Sequence, residues 1–265
     1  MIALIPAALR AHISFAPYMP YVPYVPTCEF LDRTNGTVGA ANATSLVAAP
    51  AVPTFIPPPS LALSAIDFER RVVEHNELVV RPDSLHDVLN ALVWLTFPKT
   101  KRAISEAHVA LGVNPNGKTR PRRRDVLTVF DESGMIMLSE RDNLREMNRR
   151  HQWRELFVTH RTDFVQHARP VLFGHGAMEQ LANQLPKVHR GLTVKALWLP
   201  LPTATPVAEL DDYLAIRIER GDSLHETERT VPLPVLGIPG WFAENEVLEC
   251  YDDTSVFRPK RNAIE

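Results

Sequence analysis

The 265-residue chain has only two cysteines, Cys28 and Cys250, in neither a CxxC nor a Cys/His metal spacing. That argues against a disulfide framework and a structural zinc site, and fits a reducing, cytoplasmic compartment. No stretch approaches the roughly 18 uninterrupted apolar residues that a spanning helix requires. The apolar start MIALIPAAL has no basic n-region, is interrupted by Pro6 and is ended by Arg10, so no signal peptide is expected. Charge of one sign is also missing. The 29 Lys+Arg stand against 31 Asp+Glu, which removes any global electrostatic case for nucleic acid or an anionic membrane surface. No G-x-G-x-x-G, Walker-type phosphate loop, G-x-S-x-G elbow or HExxH occurs. Nucleotide-dependent and serine-hydrolase chemistry thereby lose most of their support.

What is present is the composition of a folded protein, 45% hydrophobic and 23% charged, with an unusual leader. Ten of the 23 prolines fall in the first 60 residues, which hold only four charged side chains, Arg10, Glu29, Asp32 and Arg33. The expected division is a proline-rich extended arm over 1–60 and a globular domain over 61–265. Residues 17–26 read PYMPYVPYVP, with Tyr18, Tyr21 and Tyr24 every three residues. Three residues per turn is the polyproline II period, so the tyrosines would line one edge. Such an arm either offers a ligand to an aromatic groove on a partner protein or lies over its own body.

Beyond the arm, an amphipathic helix runs from about Ser64 to His75, before a short β-like ELVV. Ser84-Leu-His-Asp87 matches a capping signature ahead of LNALVWLTF and predicts a helix from about Leu85 to Thr96. KTKRAISEAHVAL predicts the next helix, stopped by Gly112. VLTVF, DESG and MIMLS read as a hairpin with Gly134 in its turn. Two or three helices are expected between Glu140 and His167. After them RPVLFG reads as a strand, GAMEQLANQL as a helix, LTVKALWL as a strand and VAELDDYLAIRIER as a helix, before a loop-rich end. Strands and helices without regular βαβ alternation predict an α+β fold: several helices around a small, mostly antiparallel sheet.

The 85–96 helix is apolar nearly all round and should be buried, which isolates His86, Asp87 and Asn90 as its strongly polar residues. Asp87 is accounted for by the cap. His86 and Asn90, four apart, share a stripe that either faces a polar site or forms a structural network. His175 and Glu179 are also four apart, in a helix entered through Gly174-His175-Gly176. This spacing suits two metal ligands, or a histidine oriented by a carboxylate. If His86, His175 and Glu179 meet, they make a three-ligand site for a divalent metal. Asp131 and Glu132 are adjacent carboxylates that either bind a divalent cation through oxygen ligands or serve the turn that DESG supplies. Asp252 and Asp253, flanked by Tyr251 and Phe257, either join the site or pair with nearby arginines. The densest basic run is KTRPRRR, contributing Lys118, Arg120, Arg122, Arg123 and Arg124. It either tracks phosphates, in RNA or another phosphate-bearing partner, or is a solvated loop.

The segments HDVLNALVWLTFPKTK (86–101), LTVFDESG (127–134), FGHGAMEQ (173–180), LPVLGIPGW (233–241) and YDDTSVFRPKR (251–261) resemble the hallmark stretches of a bacterial family catalogued as domain of unknown function 3025. The resemblance covers roughly residues 67–261. It implies that the body is one recurrent unit, and it brings no activity, cofactor or fold with it. The residues themselves support two functional readings. One is a cytosolic metal-assisted hydrolase acting on a small molecule, with His86, His175 and Glu179 holding the metal, Asn90 orienting, and Asp252 or Asp253 near the rim. The other is a binding or adaptor protein that uses the basic loop or the tyrosine–proline arm.

Overall fold

A computed structural model describes residues 5–24, 52–81, 83–112, 122–185, 192–224 and 230–260. In chain order they form α1 (Ala7–Ala11), a 3-10 helix (Ile13–Tyr24), β1 (Thr54–Ile56), α2 (Ala65–His75), β2 (Glu77–Val79), α3 (Leu85–Thr96), α4 (Pro98–Leu111) and α5 (Arg122–Ser133). There follow β3 (Gly134–Leu138), α6 (Asp142–Arg149), a π-helical turn (Glu155–Thr159), α7 (Arg161–His167), β4 (Arg169–Leu172), α8 (His175–Gln184), β5 (Thr193–Leu199), α9 (Val207–Arg220) and β6 (Val231–Pro234). The fold is α+β.

The main sheet has strand order β4-β3-β5-β6. Its two outer ladders are antiparallel and its central one, β3 with β5, is parallel. All five residues of GMIML in β3 are buried, as a strand covered on both faces must be. Strands β1 and β2 form a separate parallel pair. Helix α3 begins at Ser84, whose hydroxyl accepts from Asp87 N at 3.3 Å, and it buries Val88, Leu89 and every residue from Ala91 to Thr96. Burying an apolar side chain is worth about 1.5–3 kcal/mol, so this helix is a central element of the core. The Asp87 carboxylate does not close a reciprocal box; it accepts from the main chain and guanidinium of Arg81.

Two sequence expectations are corrected. Residues 17–24 belong to a 3-10 helix, not a polyproline II segment. Both conformations repeat every three residues, so periodicity cannot separate them. The arm lies over the body: Phe15 and Tyr18 are fully buried, and the Tyr18 hydroxyl donates to Leu172 O. VLTVF is not the first strand of a hairpin but the interior of α5, which continues through Ser133 before β3 starts at Gly134. Five apolar, β-branched-rich residues fit either period, and burial of Arg124, Leu127 and Phe130 at three-residue spacing fixes the helix. Among the described residues no helix is long and apolar enough to cross a membrane.

Candidate metal centre

The change from α5 to β3 is abrupt because Gly134 has no side chain: a Cβ there would lie 2.3 Å from Phe130 O. The Gly134 carbonyl accepts from the main-chain N–H groups of Phe173 and Gly174, at 3.0 and 2.8 Å. Together with the antiparallel register Met135↔Leu172, these bonds set the end of α5 against the start of α8. Gly174 permits the approach, since a Cβ would stand 2.5 Å from the main-chain nitrogens of Ser133 and Gly134. Asp131 and Glu132 therefore flank His175, the first residue of α8. Helix α3 packs across α8 and brings in His86, the second residue after its cap.

Here the side chains converge. His86 Nε2 and His175 Nε2 are 3.1 Å apart, with ring centroids 4.5 Å apart and planes at 68°. Glu132 Oε1 is 3.6 Å from His175 Nε2. One ligand atom each from His86, Glu132 and His175 falls within a 4.8 Å cluster. On its far side His86 Nδ1 meets Glu179 Oε2 at 2.9 Å. Behind His175, Asp131 Oδ2 is 3.9 Å from Nδ1, and Asp131 Oδ1 accepts from Lys101 Nζ at 2.5 Å. Lys101 is only 3% exposed and sits 5.6 Å from the ring centre of Trp94. Its burial is tolerable because Asp131 and an aromatic face receive it.

The electrostatics favour a neutral His175 and leave negative charge uncompensated. Burial pushes the His175 pKa down to about 4, with Asp131 pulling the other way. His175 also stands in the first turn of α8, where the dipole disfavours imidazolium. Burial, reinforced by Asp131 and Glu179, raises the Glu132 carboxyl against the opposing pull of His86. Burial also acts to raise Asp131, but Lys101 and His175 outweigh it and leave that carboxyl below the usual range. With Asp131 neutralised by Lys101, two carboxylates remain beside the two imidazoles. The centre is closed below by His175 and reaches solvent through His86, Glu132 and Glu179, whose side chains are 33%, 45% and 35% exposed.

The structure brings His86, His175 and Glu179 near one another, but Glu179 lies on the outer nitrogen of His86 and not among the converging ligand atoms, where Glu132 stands in its place. It adds Glu132 and Asp131, which sequence reading assigned to a turn. The adjacent-carboxylate signal was visible, but the strand assignment for VLTVF favoured a turn over a cation site shared with His175. Asn90 lies one turn after His86 with its Oδ1 buried and unpartnered. Asp252 and Asp253 are not brought into the cluster: Asp252 pairs with Arg154, and Asp253 accepts from Ser255. In the basic run, Lys118 and Arg120 lie outside the described residues. Arg122 is exposed, Arg123 donates to Ile218 O at 2.7 Å, and buried Arg124 donates to Gly112 O at 3.1 Å.

Comparison with curated proteins and with solved structures finds no similar chain. A family model described as a protein of unknown function, DUF3025, matches residues 54–261. The match takes in the pairing of β1 with β2, every side chain of the centre and the 3-10 turns after β6 (Val235–Gly237, Ala243–Glu246 and Leu248–Asp252), so by the greater part of its length the chain belongs to the family of domain of unknown function 3025.

Proposed function

We propose that the protein is a metal-dependent hydrolytic enzyme of the cytoplasm in which His86, His175 and Glu132 hold one divalent ion. The observation that carries this reading is the convergence of two imidazole Nε2 atoms and a carboxylate oxygen on one point. A tetrahedral zinc with nitrogen and oxygen ligands at about 2.0–2.1 Å separates those atoms by about 3.3 Å. The separations of 3.1 Å between the two Nε2 atoms and 3.6 Å from His175 Nε2 to Glu132 bracket that edge. The ion also supplies the positive charge that Glu132 and Glu179 lack. Three protein ligands leave one position open, as catalytic rather than structural sites do.

When bound, such an ion lowers the pKa of a coordinated water and polarises a substrate oxygen. The remaining work falls to the chain. Glu179 accepts the Nδ1 proton of His86 and leaves Nε2 free to ligate, in the carboxylate–histidine–metal pattern. Metal analysis of purified protein should find close to one zinc, iron or manganese per chain, and His86→Ala or His175→Ala should abolish it. A wild-type protein that takes up none of these ions at micromolar concentration would overturn the reading. The adaptor reading has less support, because Arg123 and Arg124 are bound to main-chain carbonyls and Tyr18 is enclosed by the body.

A further inference from the structure

The arm over residues 5–24 lies outside the family match of 54–261, and a histidine fastens it to a segment inside that match. His12 ends α1 with its ring against two aromatic side chains, 5.0 Å from the ring centre of Phe242 and 5.5 Å from that of Trp241. Its Nε2 is 3.0 Å from Trp241 O. A carbonyl only accepts, so Nε2 carries the ring proton. On the other edge, Nδ1 accepts from the Ser14 main-chain N–H at 3.2 Å and lies 2.7 Å from Ser14 Oγ. A main-chain N–H only donates, so Nδ1 must present its lone pair. Together these contacts require the neutral ring. A second proton would set Nδ1–H against the Ser14 N–H, donor facing donor, and would place a charge where two aromatic side chains have displaced water. Burial accordingly holds the His12 pKa below its ordinary 6.5, against the weaker pull of the Trp241 carbonyl. The titratable side chains that the surrounding elements carry are Arg10 and Tyr18 on the arm, His175 and Glu179 on α8, which α1 packs against, and Glu244 and Glu246 just beyond Phe242. Among the described residues none of them acts on the His12 ring.

We propose that His12 is a proton-sensitive latch: neutral, it holds the arm on the Trp241–Phe242 segment, and protonated, it releases it. The sign follows from the two states of the ring. In the released arm the imidazole titrates at its ordinary 6.5, whereas in the docked arm it refuses the proton until the pH is lower. Docking is therefore at full strength above pH 6.5 and weakens as pH falls through it. Release uncovers the buried Phe15 and Tyr18 and the Leu172 carbonyl on the edge strand β4, which the Tyr18 hydroxyl occupies. It also bares the sides of α3 and α8 that the arm packs against, the two helices that present His86 and His175. The latch itself needs no metal and does not rest on the hydrolase reading.

The test uses the full chain and two readouts. NMR titration of the His12 ring in the wild type should give a pKa below 6.5. Hydrogen exchange of the amides in residues 5–24, corrected for the intrinsic dependence of exchange on pH, should speed up between pH 7.5 and pH 5.5 relative to the amides of β3 and β5. The gain should reach at most about tenfold, the ceiling that a released pKa of 6.5 sets over that interval. His12→Phe keeps a ring beside Trp241 and Phe242 but takes up no proton, so exchange in its arm should be the same at both pH values, though faster than wild type at pH 7.5. A His12 pKa at or above 6.5 overturns the proposal, and that measurement needs no variant to fold. Wild-type arm exchange that does not change with pH, or a change that His12→Phe repeats, overturns it as well. If the arm of the variant already exchanges freely at pH 7.5, the two wild-type readings decide.

Discussion

The Nε2 atoms of His86 and His175 face each other at 3.1 Å although 89 positions separate them in sequence. At that distance either one ring donates its Nε2–H to the other's lone pair or a metal ion stands between two lone pairs, and the metal-dependent reading takes the second. The first prediction follows. Zinc at one hundred times its Kd should stabilise the protein by about 2.7 kcal/mol, read as a rise in Tm that EDTA reverses. His86→Ala should remove the zinc-induced rise.

Gly174 and Gly176 are both crowded, Gly174 by main chain and Gly176 most closely by a side chain. A Cβ at Gly176 would stand 2.5 Å from Glu132 Oε2, the end of a movable side chain. It would also stand 3.0 Å from the Glu132 main-chain oxygen, so Gly176→Ala should displace the carboxylate, weaken metal binding at least tenfold and cost about 1–2 kcal/mol in stability. A Cβ at Gly174 would meet main chain at 2.5 Å, which cannot step aside. Gly174→Ala should cost about 3 kcal/mol or more in urea unfolding. Equal losses for the two would show that Glu132 is not held as described.

His175 gives metal-free stability a pH dependence of definite sign. Its pKa falls from 6.5 to about 4 on folding, so between those values the unfolded chain binds a proton that the folded one refuses. Stability is therefore lost as pH falls through 6.5 and the loss levels off below 4, amounting to about 2 kcal/mol between pH 7.5 and pH 5. Urea titrations of the metal-free protein at the two pH values should show this difference, and His175→Gln should reduce it.

The arm is tied into the foundation of the centre. Tyr18 donates to Leu172 O, and its ring lies 6.4 Å from Phe97, which lies 5.5 Å from Phe173, two residues before His175. Tyr18→Phe keeps the ring contact and loses only the hydroxyl. A stability loss of about 1 kcal/mol is expected, and proteolysis within residues 5–24 should become faster. An unchanged unfolding midpoint would place the arm outside the cooperative unit.

Much of this was legible in the sequence, for local reasons. Ser84 before an apolar run announces α3, Asn76 ends α2 in a left-handed conformation (φ 55), and the all-apolar surface of α3 makes His86 conspicuous. His175 and Glu179 share a face because an α-helix places residues four apart side by side. What misled was a pattern too short to carry its period. VLTVF is equally at home in a strand or a helix, and its misassignment turned Asp131 and Glu132 from site residues into turn residues. Lys101 gave no signal at all. A lysine in an amphipathic helix is ordinarily solvated, and only its contact with Asp131 and Trp94 explains its burial.

The sequence by itself determined most of the helices and strands, the family membership and three of the side chains at the centre, because caps, apolar periods and i, i+4 spacing are properties of a few neighbouring residues. Tertiary structure alone decided that those side chains meet, that Glu132 supplies the third converging atom, and that Asp252 and Asp253 belong elsewhere. Those facts depend on the register Met135↔Leu172 and on the close approach that Gly134 and Gly174 allow. Both are long-range steric conditions, which no local window of sequence can express.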